Sequence, residues 1–230
     1  MSTLIYSYIS KQGKRSRNED SYSILDVQQE NCWMGIVCDG MGGHTHGEIA
    51  SRLVVDAITA YWHDHINESD TPEKVIKACK LASHQFDKKV YELGHIQMGT
   101  TMVMASLQDN LLTIAHLGDS RCYFLDSSLH IKYVTKDHIT HKDGFERITK
   151  CFFSYHPEVA IPEIRQFEVK PGDLILLCSD GIYKSMSESS LLRLLKEAVS
   201  INDAIDKIDC MCKDLSRDNY TAILLQVVDE

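Results

Sequence analysis

The stretch CWMGIVCDG, residues 32–40, decides the architecture. Its apolar run from Cys32 to Cys38 is too short for an amphipathic helix, and Gln29-Glu30-Asn31 and Asp39-Gly40 bound it. A run of that length with such borders predicts a strand buried on both faces. LILLCSDG, residues 174–181, repeats the pattern: an apolar strand that ends in a carboxylate and a glycine. A carboxylate at the last position of a buried strand is held rigidly, yet projects past the sheet edge toward solvent.

Further strands are expected around these two. Leu4, Tyr6 and Tyr8 alternate with Ile5 and Ser7, and Tyr22–Val27, 100–107, 111–117, 121–125 and 221–228 carry strand signals. Pro171-Gly172-Asp173 reads as a hairpin turn before Leu174. Helical spacing appears in Ile49, Leu53, Ala57 and Tyr61, predicting a helix over 47–62. Thr71-Pro72 is a cap followed by a first-turn proline, opening a helix with Val75, Cys79, Ala82, Phe86 and Val90 on one stripe. Two more helices are expected over 188–198 and 203–215. Residues 137–165 show little periodicity and read as loops. Blocks of strands and helices in this order predict an α+β fold of antiparallel sheets with helices layered outside. No linker, repeat or low-complexity tract divides the 230 residues, so residues 1–230 read as one domain.

Composition narrows the function. Lys and Arg number 24 against 33 Asp and Glu, a net charge of −9, which disfavours nucleic acid as a partner. No apolar run approaches the ~20 residues of a bilayer-spanning helix, and the polar first twenty residues lack a signal-peptide core. The eight cysteines are scattered through the chain and read as reduced thiols in a cytoplasmic protein. Cys32, Cys38 and Cys178 fall in predicted core strands. Cys210 and Cys212 share a helix at a spacing that does not face one site. No Cys-x5-Arg loop is present.

The acids are more informative. Glu19-Asp20, Asp39-Gly40, Asp180-Gly181 and Asp218-Asn219 each lie at a strand end or turn. Any one of them reads equally well as a plain turn. Several carboxylates gathered at one sheet edge would repel one another unless a cation sat among them. Oxygen-only ligation favours a hard divalent ion, magnesium or manganese, over zinc. The run Met41-Gly42-Gly43-His44 is either a flexible turn or a route for a backbone carbonyl to reach a metal. It does not match a phosphate-cradling loop, because no Gly-Lys-Ser/Thr follows.

The series RNEDSY, VCDGMGGHTHGEIAS, MGTTMVMASL, HLGDSRCYFL, VTKDHI, GDLILLCSDGIY and DNYTAILLQ resembles the protein phosphatase 2C family of metal-dependent serine/threonine phosphatases, in its compact bacterial style. The likeness is collinear from about Ile5 to Val228. It implies a four-layer α-β-β-α sandwich of two antiparallel sheets flanked by helix pairs. It also implies that Asp39 bridges two metals, that the Gly40 carbonyl binds one of them, and that Asp180 and Asp218 complete the shell of the first metal. Glu19, and Asp20 through water, would serve the second metal, and Asp119 with Asp180 a third, weaker one. Arg15 matches the arginine that grips the substrate phosphate.

The implied activity is hydrolysis of phosphoserine or phosphothreonine in proteins by a bridging water that two Mn2+ or Mg2+ ions activate. A partner Ser/Thr kinase and a monomeric state go with it. Competing readings are a pseudophosphatase that binds without turnover and a phosphatase for a small phosphorylated metabolite. Two departures from the family pattern stand out. Met41 occupies the place where some relatives carry a histidine, and His44 reads as a loop residue bonded to backbone rather than a general acid. The flap segment, about 137–165, is short, which implies an open site.

Overall fold

The computed structural model describes residues 3–27, 31–41, 46–69 and 71–229. Three strands open the chain, β1 (Thr3–Lys11), β2 (Asp20–Val27) and β3 (Cys32–Asp39), and two helices follow, α1 (Gly47–Asp64) and α2 (Pro72–Glu92). The middle of the chain is β4 (Gly99–Thr100), β5 (Met102–Gln108), β6 (Leu111–Leu117), β7 (Arg121–Leu125) and β8 (Ile131–Val134). Four short strands come next: β9 (Ile139–Lys142), β10 (Phe145–Ile148), β11 (Phe152–Phe153) and β12 (Glu163–Glu168). Then come β13 (Leu174–Cys178), α3 (Asp180–Tyr183), α4 (Glu188–Glu197), α5 (Ile201–Leu215) and β14 (Tyr220–Val228).

Two five-stranded antiparallel sheets form the centre, in the orders β1-β14-β13-β7-β8 and β12-β6-β5-β3-β2. The period-two alternation of the strands sorts side chains into three apolar layers. In β3, Trp33 and Val37 point inward and meet Val103, Leu177 and Ile223 between the sheets. Met34, Ile36 and Cys38 point the other way, onto Val54, Ile58 and Trp62 of α1 and Phe86 of α2. On the second sheet Leu176 and Cys178 face outward and are covered by Leu191 of α4 and by Ile205 and Ile208 of α5. The sandwich is therefore helix, sheet, sheet, helix. A strand buried on both faces must be apolar at every position, which accounts for the unbroken runs in β3 and β13.

Three expectations need correction. The segment 137–165 is not loop alone: β9 and β10 form a hairpin, with Phe145 opposite Lys142 and Ile148 opposite Ile139. β11 pairs with β4. These strands are short and the hairpin is largely exposed, so they lack the apolar alternation that reveals a half-buried strand. Secondly, Pro171-Gly172-Asp173 is no hairpin turn. β12 pairs with β6, whereas β13 pairs with β7 and β14, so this turn carries the chain from one sheet to the other. Turn residues specify a reversal, not which strands the flanking segments join. Thirdly, the strand expected over 100–107 is broken at Thr101, between β4 and β5.

The predicted start of α2 is present. Thr71 Oγ1 accepts from the Lys74 amide at 3.2 Å, and Pro72 occupies the first turn. Replacing Thr71 with Ala removes the side-chain acceptor and should lower unfolding free energy by about 1 kcal/mol in urea denaturation. An unchanged midpoint would show that this cap contributes nothing.

Candidate metal centre

The carboxylates arrive at one edge of the sandwich because each closes a strand or begins one. Asp20 and Asp39 are direct cross-strand partners on β2 and β3. Asp180 follows β13 and starts α3, Asp119 lies in the turn between β6 and β7, and Asp218 precedes β14. A cavity of about 290 Å³ at this edge is lined by Arg15, Glu19, Asp39, Gly40, Asp119, Asp180 and Asp218 among others. Seven of the eight residues singled out in the sequence thus share one cavity. Asp20 is the exception: it does not line this cavity and lies buried beside it, where its Oδ2 accepts from Ser179 Oγ at 2.8 Å. His44, Gly42 and Gly43 lie outside the described residues.

The glycine of each Asp-Gly pair has a steric reason. A Cβ on Gly40 would stand 2.3 Å from the Gly47 carbonyl oxygen and 2.7 Å from that of Glu19. A Cβ on Gly181 would stand 1.9 Å from the Asn219 carbonyl oxygen. Both glycines allow two chain segments to touch, and so bring their acids together.

Several residues that hold the site were not legible as functional. Asn219 is the main one. Its Oδ1 accepts from the Glu19 amide at 2.9 Å, and its Nδ2 donates to the carbonyls of Gln12 and Arg17 at 2.7 and 2.8 Å. It therefore fastens the loop carrying Arg15 and Glu19 to the head of β14. The Asp39 amide donates to Thr101 Oγ1 at 3.0 Å, and Thr100 Oγ1 donates to the Asp39 carbonyl at 2.9 Å. Arg121 makes a two-point pair with Asp137, Nε to Oδ1 at 2.8 Å and Nη2 to Oδ2 at 2.7 Å. This pair joins the GDSR turn to the TKDH segment. The motifs containing these residues were visible in the sequence, but their long-range partners were not.

Electrostatics set this cavity apart. Burial, reinforced by the charges of Asp20, Asp180 and Asp119, pushes the Asp39 carboxyl well above the usual carboxylate range. Burial, then the charge of Asp180, raises Asp119 to about 6. Asp20 and Glu19 are also raised, in each case first by burial. Two side-chain cations stand close by. Arg15 Nη2 donates to Asp218 Oδ2 at 2.7 Å, and Lys184 Nζ donates to Asp180 Oδ2 at 2.8 Å.

The acids fit hard divalent ions. The donors are carboxylate and carbonyl oxygens, and Asp180 Oδ1 is buried without a hydrogen-bond partner. Asp39, with Gly40, Asp180 and Asp218, could hold one ion and share a second with Glu19.

A different grouping, His116, His138 and Glu163, also brings potential ligand atoms within 4.8 Å of one another. Its chemistry is less suitable. His116 Nε2 contacts the Lys136 carbonyl at 3.0 Å, and His138 Nδ1 accepts from the Gly118 amide at 3.3 Å. A neutral His138 whose Nδ1 lone pair is taken carries its proton on Nε2, the atom facing Glu163. That leaves His138 no lone pair for a metal, and the group is reduced to His116 and Glu163. The stacked rings, 4.4 Å apart, instead join β6, the TKDH segment and β12.

Comparison with known proteins gives the family and the fold. The sequence profile described as Protein phosphatase 2C matches residues 10–216. The chain belongs to that family. It is 28% identical to the serine/threonine protein phosphatase PstP of Mycobacterium tuberculosis over 99% of its own length and 46% of that protein. It therefore spans about half of this mycobacterial relative. The serine/threonine phosphatase Stp of Listeria monocytogenes is 27% identical, with 92% of this chain and 91% of that one aligned. The crystal structure of Stp1 from Staphylococcus aureus superposes with a TM-score of 0.82 at 27% identity, covering 99% and 96% of the two chains. These likenesses agree with the two-sheet sandwich expected from the sequence.

Burial of Asp119, reinforced by the charge of Asp180, gives a pH test. Between its unfolded value of 3.8 and its folded value of about 6, Asp119 binds more protons folded than unfolded. Stability of metal-free protein should therefore fall as pH rises through that window and stay reduced above it. Asp119→Asn removes this contribution. In chelator, urea denaturation should show the variant about 2–3 kcal/mol more stable than wild type at pH 7.5, and little different at pH 3.5. A variant less stable than wild type at pH 7.5 would contradict the assigned cost of ionising Asp119 in the folded protein.

Proposed function

We propose that this chain is a phosphoprotein phosphatase that hydrolyses phosphoserine and phosphothreonine with two bound divalent cations, manganese or magnesium. One observation carries the reading: acids from widely separated chain segments meet Arg15 around a single small cavity. Asp39, Asp180, Asp218, Glu19 and the Gly40 carbonyl hold the cations, and Asp20 supports them from beneath. Cations held there supply an ionised water nucleophile near neutral pH and offset charge on the phosphoryl group.

The chain's own residues bind and orient the substrate. Arg15 offers a planar fork of donors suited to phosphate oxygens. In the structure Asp218 engages its Nη2, so a carboxylate oxygen stands where a phosphate oxygen would bind. Asn219 keeps the Arg15 loop at its distance from the acids. A neighbouring groove shares Met41 and Ile148 with this cavity and is lined further by Cys151, Phe153 and Val159, with Glu146 and His156 at polar positions. Its apolar part supports a peptide substrate over a small metabolite, since side chains flanking the phosphorylated residue can bury there. The pseudophosphatase reading has no support among the site residues, because every expected carboxylate is present.

The same reading makes residues 1–230 one catalytic domain whose short flap is the β9–β10 hairpin and the segment after it. It also includes a monomer acting in the cytoplasm on the products of a Ser/Thr kinase. Among the described residues, no helix is long and apolar enough to cross a membrane.

The test is hydrolysis of a phosphothreonine peptide and of p-nitrophenyl phosphate by the purified chain. Manganese should support turnover and chelator should remove it. Asp39→Asn should lower kcat at least about a hundredfold in a folded protein. Arg15→Ala should act mainly through KM, raising it about tenfold. Absence of hydrolysis by folded wild-type protein with either metal would overturn the proposal, and an unchanged KM would undo the role of Arg15.

A further inference from the structure

Lys184 is a lysine within an acidic cluster. It ends the short turn α3, one helical turn beyond Asp180, and its amide donates to the Asp180 carbonyl at 2.9 Å. Its ammonium lies 2.8 Å from Asp180 Oδ2, 3.4 Å from Asp119 Oδ2 and 3.5 Å from Glu146 Oε1. Three carboxylates from α3, the GDSR turn and β10 thus converge on one fixed positive charge. The Asp119 and Asp180 side chains are 7% and 14% exposed, so the acids are largely buried while the Lys184 side chain remains half exposed. Arg15 and Asp218 make the corresponding pair elsewhere around the cavity.

We propose that Lys184 is a built-in cation that takes the place of a further divalent ion between Asp119 and Asp180, limiting the centre to two ions. The inference rests on the phosphatase reading and deepens it. An ion bridging Asp119 and Asp180 needs the same oxygens that face the ammonium, and it would stand beside a like charge. Lys184 engages only one oxygen of Asp180, since Asp180 Oδ1 makes no hydrogen bond and is left for the ion shared with Asp39. Lys184 also ties the β9–β10 hairpin to the site through Glu146. The hairpin is thereby anchored to the same residue that sets the ion count.

The experiment is calorimetric titration of the full chain with manganese chloride, comparing wild type, Lys184→Met and the double variant Lys184→Met/Asp119→Asn. Wild type should bind two ions per chain. Lys184→Met should gain a third, weaker site, and adding Asp119→Asn should remove it again. A purely structural lysine would leave the ion count unchanged. Three ions on wild type, or two on Lys184→Met, would overturn the inference while leaving the phosphatase reading intact. No ions on wild type would overturn both. Lys184→Gln, which keeps a polar side chain without the charge, gives the same reading where Lys184→Met does not fold.

Discussion

Carboxylates crowded into a poorly hydrated space repel one another, and this fold places several of them together at one sheet edge. Antiparallel pairing sets Asp20 opposite Asp39, and the ends of β6, β13 and β14 bring Asp119, Asp180 and Asp218 to the same place. Burial and mutual charge raise Asp39 and Asp119, so the apo arrangement is costly. Three apolar layers hold it against that repulsion. The sandwich therefore keeps an unfavourable constellation ready for cations, and the strain is relieved when they bind.

Rigidity comes from contacts one step removed from the acids. Thr100 and Thr101 fix the backbone of Asp39, Ser179 orients Asp20, and Asn219 connects the Arg15 loop to β14. The Arg121–Asp137 pair, with the Arg121 guanidinium 3.7 Å above the Tyr183 ring, braces the turn that carries Asp119. The only short-range member of this set is the i,i+4 pair of Lys184 and Asp180. Everything else joins segments far apart in the chain, as expected for a site assembled from strand ends.

How much of this could be read from the sequence follows from the range of each interaction. CWMGIVCDG and LILLCSDG reveal buried strands because a strand covered on both faces has to be apolar throughout. Thr71-Pro72 reveals a helix start because a cap is local. The Asp-Gly pairs drew attention to the acids, although the reason for each glycine, contact with Gly47, Glu19 or Asn219, depends on tertiary structure. Asn219 looked like a turn residue, since its partners Gln12, Arg17 and Glu19 lie some two hundred positions away. The β9–β10 hairpin was missed because exposed strands carry no apolar alternation. Pro171-Gly172-Asp173 reads as a hairpin turn because turn chemistry does not say which sheet a flanking strand joins. Lys184 passed unnoticed for a simpler reason: a lysine one turn after Asp180 reads as an ordinary surface residue until Asp119 and Glu146 are seen beside it.

Crystals of the chain soaked in manganese, with data collected for anomalous scattering, show most directly whether the carboxylates of the cavity gather cations. Strong peaks are expected inside the cavity bounded by Glu19, Asp39, Asp180 and Asp218, with Asp39 in contact with both ions. A manganese-soaked crystal with no anomalous peak among these carboxylates would contradict their role in gathering cations.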